Sequence, residues 1–268
     1  PLFFILFTYT ELIDKTNYLN HYYFISIVSF LLIFLPANRS FALDVKITGK
    51  SLKEIPSWVV NALKLQLGIV YFFAGLAKIN ATWLFDAMPL KIWLPAEDHL
   101  PLLGGYMHKE WMAYAFSWAG AFYDLTIVFW LMYRKTRIPA YLSVIFFHIV
   151  TGMMFQIGMF PYIMIGATLI FFPVSFHKKI IYGLKLILIK AGMFLKVNPS
   201  FAISNFAGTK LIRGILIAHF LIQLFLPFRH LFAPGNLFWN EQGYRFSWRV
   251  MLMEKAGTAT FYVQDGHE

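Results

Sequence analysis

Long apolar stretches recur along the whole chain, and they constrain the fold more than any single motif does. Windows rich in Phe, Leu, Ile and Trp occupy His21–Pro36, Trp58–Ile79, Trp111–Tyr133, Pro139–Phe155, Gly158–Phe172 and Ile212–Phe228, with the end of another at Pro1–Tyr9. A soluble domain of 268 residues has no room to bury them all, because a core grows more slowly than the chain that builds it. Apolar residues make up 59% of the chain and charged residues 13%, against roughly 45–50% and about 25% in soluble domains. A soluble enzyme, a disordered chain and a nucleic-acid binder are excluded on this ground. Inside lipid the backbone must satisfy its own hydrogen bonds, and runs this long read as helices. The expected fold is an all-α polytopic membrane bundle of about six to seven spans.

The 23 Lys and Arg exceed the 13 Asp and Glu, for a net charge of +10. The basic residues cluster in short loops between apolar windows, where they set orientation. Residues 178–213 form the densest basic stretch and are placed in the cytoplasm. Arg134-Lys135-Thr136-Arg137 and the Asn38–Pro56 loop, with Arg39, Lys46, Lys50 and Lys53, then fall on the same side. Ile180–Val197 is apolar but interrupted by Lys185, Lys190 and Lys196. With Lys178 and Lys179 these lysines fall within roughly 140° of one helical face, the pattern of a helix lying in the interface. The pair of windows around Gln156-Ile157-Gly158 reads either as a tight hairpin or as one long kinked helix.

The outward-facing parts include Asn80–Glu110, which reads as an interfacial helix or lid, and everything after Phe228. Residues 249–264 alternate loosely and are followed by Asp265-Gly266, a hairpin-turn signal. The expected organisation is a helical membrane domain over residues 1–228 and the start of an external β-rich domain over residues 229–268. The chain begins at Pro1 inside an apolar run and stops just past the alternation, so it reads as a fragment lacking earlier spans and most of the C-terminal domain.

Orientation brings four polar residues to one boundary. Asn20 and His21 open one span, Lys78 closes another, and His230 follows the last, all on the outer side. A lysine near low dielectric loses its charge readily and can become a base near neutral pH. A lysine at a helix end also commonly snorkels to the interface, so position alone leaves both readings open. Asp124 and His148 lie inside spans, where ionisable groups are functional candidates by default. They are expected to pair with each other or to make structural hydrogen bonds. Cysteine is absent, and no His or carboxylate cluster has metal-ligand spacing. Nucleotide, metalloprotease and serine-hydrolase motifs are also missing.

Around these residues the sequence resembles the vitamin K-dependent γ-glutamyl carboxylase family, which includes bacterial HTTM-domain members. The likeness runs through Asn20-His21-Tyr22, Val70-Tyr71-Phe72-Phe73-Ala74-Gly75-Leu76-Ala77-Lys78-Ile79 and Trp83-Leu84. It continues in Phe147-His148, in Gln156-Ile157-Gly158-Met159-Phe160-Pro161-Tyr162 and in Leu226-Pro227-Phe228-Arg229-His230-Leu231. Its last block includes Asn236, Trp239 and Gly243-Tyr244-Arg245-Phe246-Ser247-Trp248. The resemblance implies a helical bundle with a β-rich external domain. It also implies oxidation of vitamin K hydroquinone by O₂ to the epoxide, coupled to addition of CO₂ to a protein-bound glutamate, with no metal. Lys78 would be the amine that deprotonates the hydroquinone, supported by Asn20 and His21. His148 and His230 match histidines implicated in activity, while Tyr244 and Trp248 match an aromatic loop near the quinone. The resemblance implies a multi-pass protein of a bacterial inner membrane, with the bilayer and a glutamate-containing protein or peptide as partners and no nucleic acid. Ala77 stands where the animal enzymes tend to have a second lysine. Two alternatives are a quinol-oxidising membrane protein without peptide carboxylation, and a non-enzymatic scaffold or transport bundle. The sequence lacks the inverted repeat and matched broken helices common in transporters.

Overall fold

The structure, a computed structural model, describes residues 1–40, 42–52, 54–155, 157–190, 200–201, 209–253 and 259–261. Two apolar helices, α1 (Leu2–Leu12) and α2 (Asn20–Phe34), lead through the short α3 (Leu43–Thr48) to the central helix α4 (Ser57–Ala77). Three short helices follow, α5 (Ala81–Leu84), α6 (Leu90–Trp93) and α7 (Gly104–Met107). Beyond them come α8 (Glu110–Met132), α9 (Arg137–Met154), α10 (Phe160–Thr168), α11 (Val174–Lys190), α12 (Lys210–Phe225) and α13 (Leu237–Asn240).

Among the described residues four helices are long and apolar enough to cross a membrane: Ser57–Ala77, Glu110–Met132, Arg137–Met154 and Lys210–Phe232. A fifth is added if Phe160–Phe171 and Val174–Lys190, bent by 118°, count as one span. The expected six to seven spans reduce to these because the windows His21–Pro36 and Gly158–Phe172 form helices of only 15 and 9 residues. Leu35 is extended ahead of Pro36 and ends α2 after 15 residues. Phe172 is likewise extended ahead of Pro173 and separates α10 from α11. In both cases the proline ring disfavours helical backbone at the residue before it.

The α9–α10 connection is a hairpin rather than a kink. The two helices pack together, and the Tyr141 hydroxyl on α9 donates to the Ile165 carbonyl on α10 at 3.3 Å. None of the residues of α11 is buried, and residues 191–197 of the expected interfacial helix fall outside the described set. The described strands are a two-residue parallel pair, Lys50 with Ser200 and Ser51 with Phe201. Beyond Phe228 the described residues form turns and short helix rather than the expected strands. Residues 254–258 and 262–268, which include Asp265-Gly266, lie outside the described set.

α4 and α8 form the centre of the bundle. Gly75 makes their close approach possible: a Cβ there would stand 2.7 Å from both the backbone nitrogen and the Cγ of Leu125. The larger core joins Phe24, Ile27 and Leu31 of α2 to Leu67, Val70 and Tyr71 of α4, with Ile127 and Leu131 of α8 and Val144 of α9. A second core lies under the short helices, where Ala77, Trp83, Leu90, Leu94, Met107 and Met112 gather with Met154 and Leu252. Asn80–Glu110 is therefore a folded cap over one end of α8. Trp83 Nε1 donates to the Ser117 carbonyl at 2.9 Å, and Trp118 Nε1 donates to the Leu84 carbonyl at 3.0 Å.

Buried polar pairs tie the remaining helices in. His219 Nε2 on α12 lies 2.8 Å from Gln66 Oε1 on α4, and Gln223 Nε2 donates to the Tyr23 hydroxyl at 2.8 Å. Substituting Gly75→Val overpacks the α4–α8 contact and is expected to remove about 1–3 kcal/mol. Gly166→Ala, where an added Cβ meets nothing within 4 Å, should leave stability nearly unchanged. Thermal unfolding of both variants in the same detergent checks the contrast.

Candidate functional site

A cavity of about 750 Å³, counting its open side, lies between α4, α8, α9 and α10. Its wall follows from helical spacing. Val70, Ala74 and Lys78 recur every fourth residue on α4, and Phe116, Gly120 and Asp124 do the same on α8, so each set forms one stripe. Phe147, His148 and Thr151 of α9 and Phe160 and Met164 of α10 complete the bundle side. Trp83, Leu90 and Trp93 close it from the cap, and Val250 and Met251 from the C-terminal loop. The surroundings are mainly apolar and aromatic, with a few polar groups, the usual makeup of a small-molecule site.

Lys78 and Asp124 form a buried ion pair inside this cavity, with Nζ 2.7 Å from Oδ2. Nζ also donates to the Ala74 carbonyl at 3.2 Å and lies 5.5 Å from the centroid of the Trp83 ring. A carboxylate, a carbonyl and an aromatic face are all electron-rich, and all suit an ammonium. The pair forms because Gly75 lets α4 and α8 close up beside it. Lysine snorkelling, one of the two readings open from sequence, does not describe a side chain 8% exposed.

The expected Asp124–His148 pairing is corrected by this geometry. Asp124 is engaged by Lys78, while His148 Nε2 lies 3.0 Å from the Tyr71 hydroxyl. His148 is 2% exposed, and its Nδ1 is buried with no hydrogen-bond partner. An orphan buried nitrogen carries a desolvation cost, and here it belongs to a residue that lines a cavity.

The other candidates gather elsewhere. Asn20 Nδ2 donates to the Arg249 carbonyl at 2.9 Å, and Arg249 Nη2 lies 3.3 Å from His230 Nε2. The Tyr244 hydroxyl accepts a hydrogen bond from the backbone of Leu252, and burial pushes its pKa up. Trp248 is 1% exposed and stacks on Tyr23 with ring centroids 4.8 Å apart. His21 is buried and packs against Phe160 at 6.0 Å; Phe160 in turn lies 5.8 Å from the His148 ring. So Lys78 and His148 line the cavity, His21 backs one of its walls, and Asn20, His230, Tyr244 and Trp248 hold the C-terminal loop. The expected meeting of one amide, two imidazoles and one amine is not what the structure brings together.

That loop is tightly fitted. A Cβ on Gly243, at φ +84°, would stand 2.8 Å from the backbone of His230. Phe246, Trp248 and Met251 have φ of 58°, 57° and 54°, conformations that cost roughly 1–3 kcal/mol each in non-glycine residues. Sequence reasoning missed Tyr71 and Arg249, and it missed that Asp124 belongs to Lys78. Each of the last two carries a charge within an apolar setting, which is a signal, but pairing across 46 positions is not readable from spacing.

The chain matches known families on both sides of its middle. Residues 1–176 match the model of the HTTM domain. Residues 208–268 match the vitamin K-dependent gamma-carboxylase lumenal domain. The chain belongs to the vitamin K-dependent gamma-carboxylase/HTTM family. No solved structure matches it. Among the described residues no group of three His, Cys, Asp or Glu could hold a metal ion.

Removing one member of the buried pair strands the other. Asp124→Leu alone is expected to cost about 3–5 kcal/mol, and the double variant Lys78→Met/Asp124→Leu should recover most of that loss. Thermal unfolding of the two variants beside the unmodified protein measures the recovery.

Proposed function

We propose that this protein is a vitamin K-dependent γ-glutamyl carboxylase of a bacterial inner membrane, acting on a glutamate-containing protein or peptide at the external face. The observation that carries the reading is the Lys78–Asp124 pair, buried in an aromatic-lined cavity of a chain matched by the carboxylase lumenal-domain model. Vitamin K hydroquinone, oxidised by O₂ to the 2,3-epoxide, supplies a base strong enough to take a γ-proton from glutamate, after which CO₂ adds to the carbanion. Aromatic walls at Trp83, Trp93, Phe116 and Phe147 suit a flat ring.

The chain's own part is to handle one proton and to exclude water. Because the groups around Nζ suit an ammonium, the Asp124 carboxylate receives the hydroxyl proton. Lys78 then stays charged beside the developing oxyanion, which it stabilises in a site shielded from water. This refines the free-amine role that the resemblance implies for Lys78. With Phe160–Phe171 and Val174–Lys190 counted as the fifth crossing, the basic loops support an orientation that leaves Lys78 and the C-terminal domain on the external side.

Membranes containing the protein are incubated with vitamin K hydroquinone, O₂, labelled CO₂ and a glutamyl peptide. Label in the peptide together with epoxide is expected. Epoxide without label would make the protein a quinol oxidase only, and neither product would overturn the reading. Lys78→Ala should lower epoxidation by about 10²–10⁴-fold. Asp124→Asn should do the same, although it leaves the amine in place; full epoxidation by Asp124→Asn would return the proton to Lys78.

A further inference from the structure

Four of the sequence-predicted site residues, Asn20, His230, Tyr244 and Trp248, converge on one short segment. Asn20 donates to the backbone carbonyl of Arg249 and is itself fixed by the Tyr18 hydroxyl, which donates to its Oδ1 at 3.1 Å. His230 Nδ1 lies 2.9 Å from the Pro227 carbonyl. That contact takes the Nδ1 proton, and Arg249 Nη2, 3.3 Å from Nε2 and 3.4 Å from Nδ1, packs the guanidinium against the imidazole ring. Tyr244 takes the backbone of Leu252, and Trp248 anchors the start of the segment against Tyr23. Between these tethers Val250 and Met251 form part of the cavity wall. Leu252, 4% exposed, packs into the cluster that contains Ala77 and Trp83, beside Lys78.

We propose that Arg249 is the positioning residue that clamps the Trp248–Leu252 strap against the cavity, and that Asn20, His230 and Tyr244 act through this strap rather than on the reacting atoms. The strap contains two residues with positive φ, Trp248 and Met251, so it is held in a conformation that it would leave without its tethers. Arg249 suits the task because one residue is gripped twice. Asn20 holds its carbonyl and His230 holds its guanidinium. Removing the guanidinium leaves the Asn20 bond intact, whereas removing either His230 or the guanidinium breaks the same contact.

The proposal goes beyond the carboxylase reading and does not depend on it, because its readout is a labelling rate rather than turnover. The chain has no cysteine, so Leu252→Cys creates a single reporter in the full-length chain in detergent, probed with N-ethylmaleimide. Arg249→Met and His230→Ala should each speed its labelling about tenfold, with no further gain in the double variant. Asn20→Ala should add its own acceleration on top of Arg249→Met, and Arg249→Lys should restore part of the protection. Val144→Cys, at a position 0% exposed in α9, should stay slow in every background. If Leu252→Cys reacts at once without other changes, Met251→Cys replaces it as reporter. Unchanged labelling in Arg249→Met overturns the clamp. So does full additivity of Arg249→Met with His230→Ala, or a parallel rise at Val144→Cys.

Discussion

The rest of the site depends on one contact, the ion pair between Lys78 and Asp124 inside the bundle. A lone charge at that depth would be costly, and its neutralisation by a partner on a neighbouring helix makes it tolerable. The partner is in reach because Gly75 has no side chain to hold α4 and α8 apart. The stripes that put Lys78 and Asp124 at the ends of their fourfold spacings also fill the intervening positions with Val70, Ala74, Phe116 and Gly120. The same geometry therefore makes the cavity and places its two charges.

Around that centre the bundle uses polar contacts sparingly and for alignment. Gln66 with His219 links α4 to α12, and Glu11 with Ser26 links α1 to α2 at 2.6 Å. Such bonds within membranes average only about 0.6 kcal/mol, so they select one arrangement of the helices more than they stabilise it. The cap works differently. Its Trp83 and Trp118 use indole N–H groups to hold backbone carbonyls while their rings supply apolar area.

Much of this was legible in the sequence. The windows at Trp58–Ile79, Trp111–Tyr133 and Pro139–Phe155 correspond closely to α4, α8 and α9. The family was visible in the motifs around Lys78, His148 and His230. The number of spans was not legible, because the windows at His21–Pro36 and Gly158–Phe172 were counted as crossings although the helices they form, of 15 and 9 residues, are shorter than a bilayer core requires. Nor was the division of the site. Asn20, His21, Lys78 and His230 share a boundary by topology, but a boundary is a plane, and position within that plane is set by which helix faces which. Asp124 was recognisable as out of place in an apolar run; only the packing of α8 on α4 shows that it answers Lys78.

The Asn20–Arg249 hydrogen bond joins residues 229 positions apart, and it bears on how the protein is made. Helices such as α4 and α8 form from local contacts and pack as soon as both have emerged, whereas a contact of this span must wait until Arg249 has been made. During synthesis the cavity therefore exists first as an open cleft, with its charged pair already in place. Its last wall arrives with the strap. The order of synthesis thus delays completion of the site until the bundle beneath it has been built.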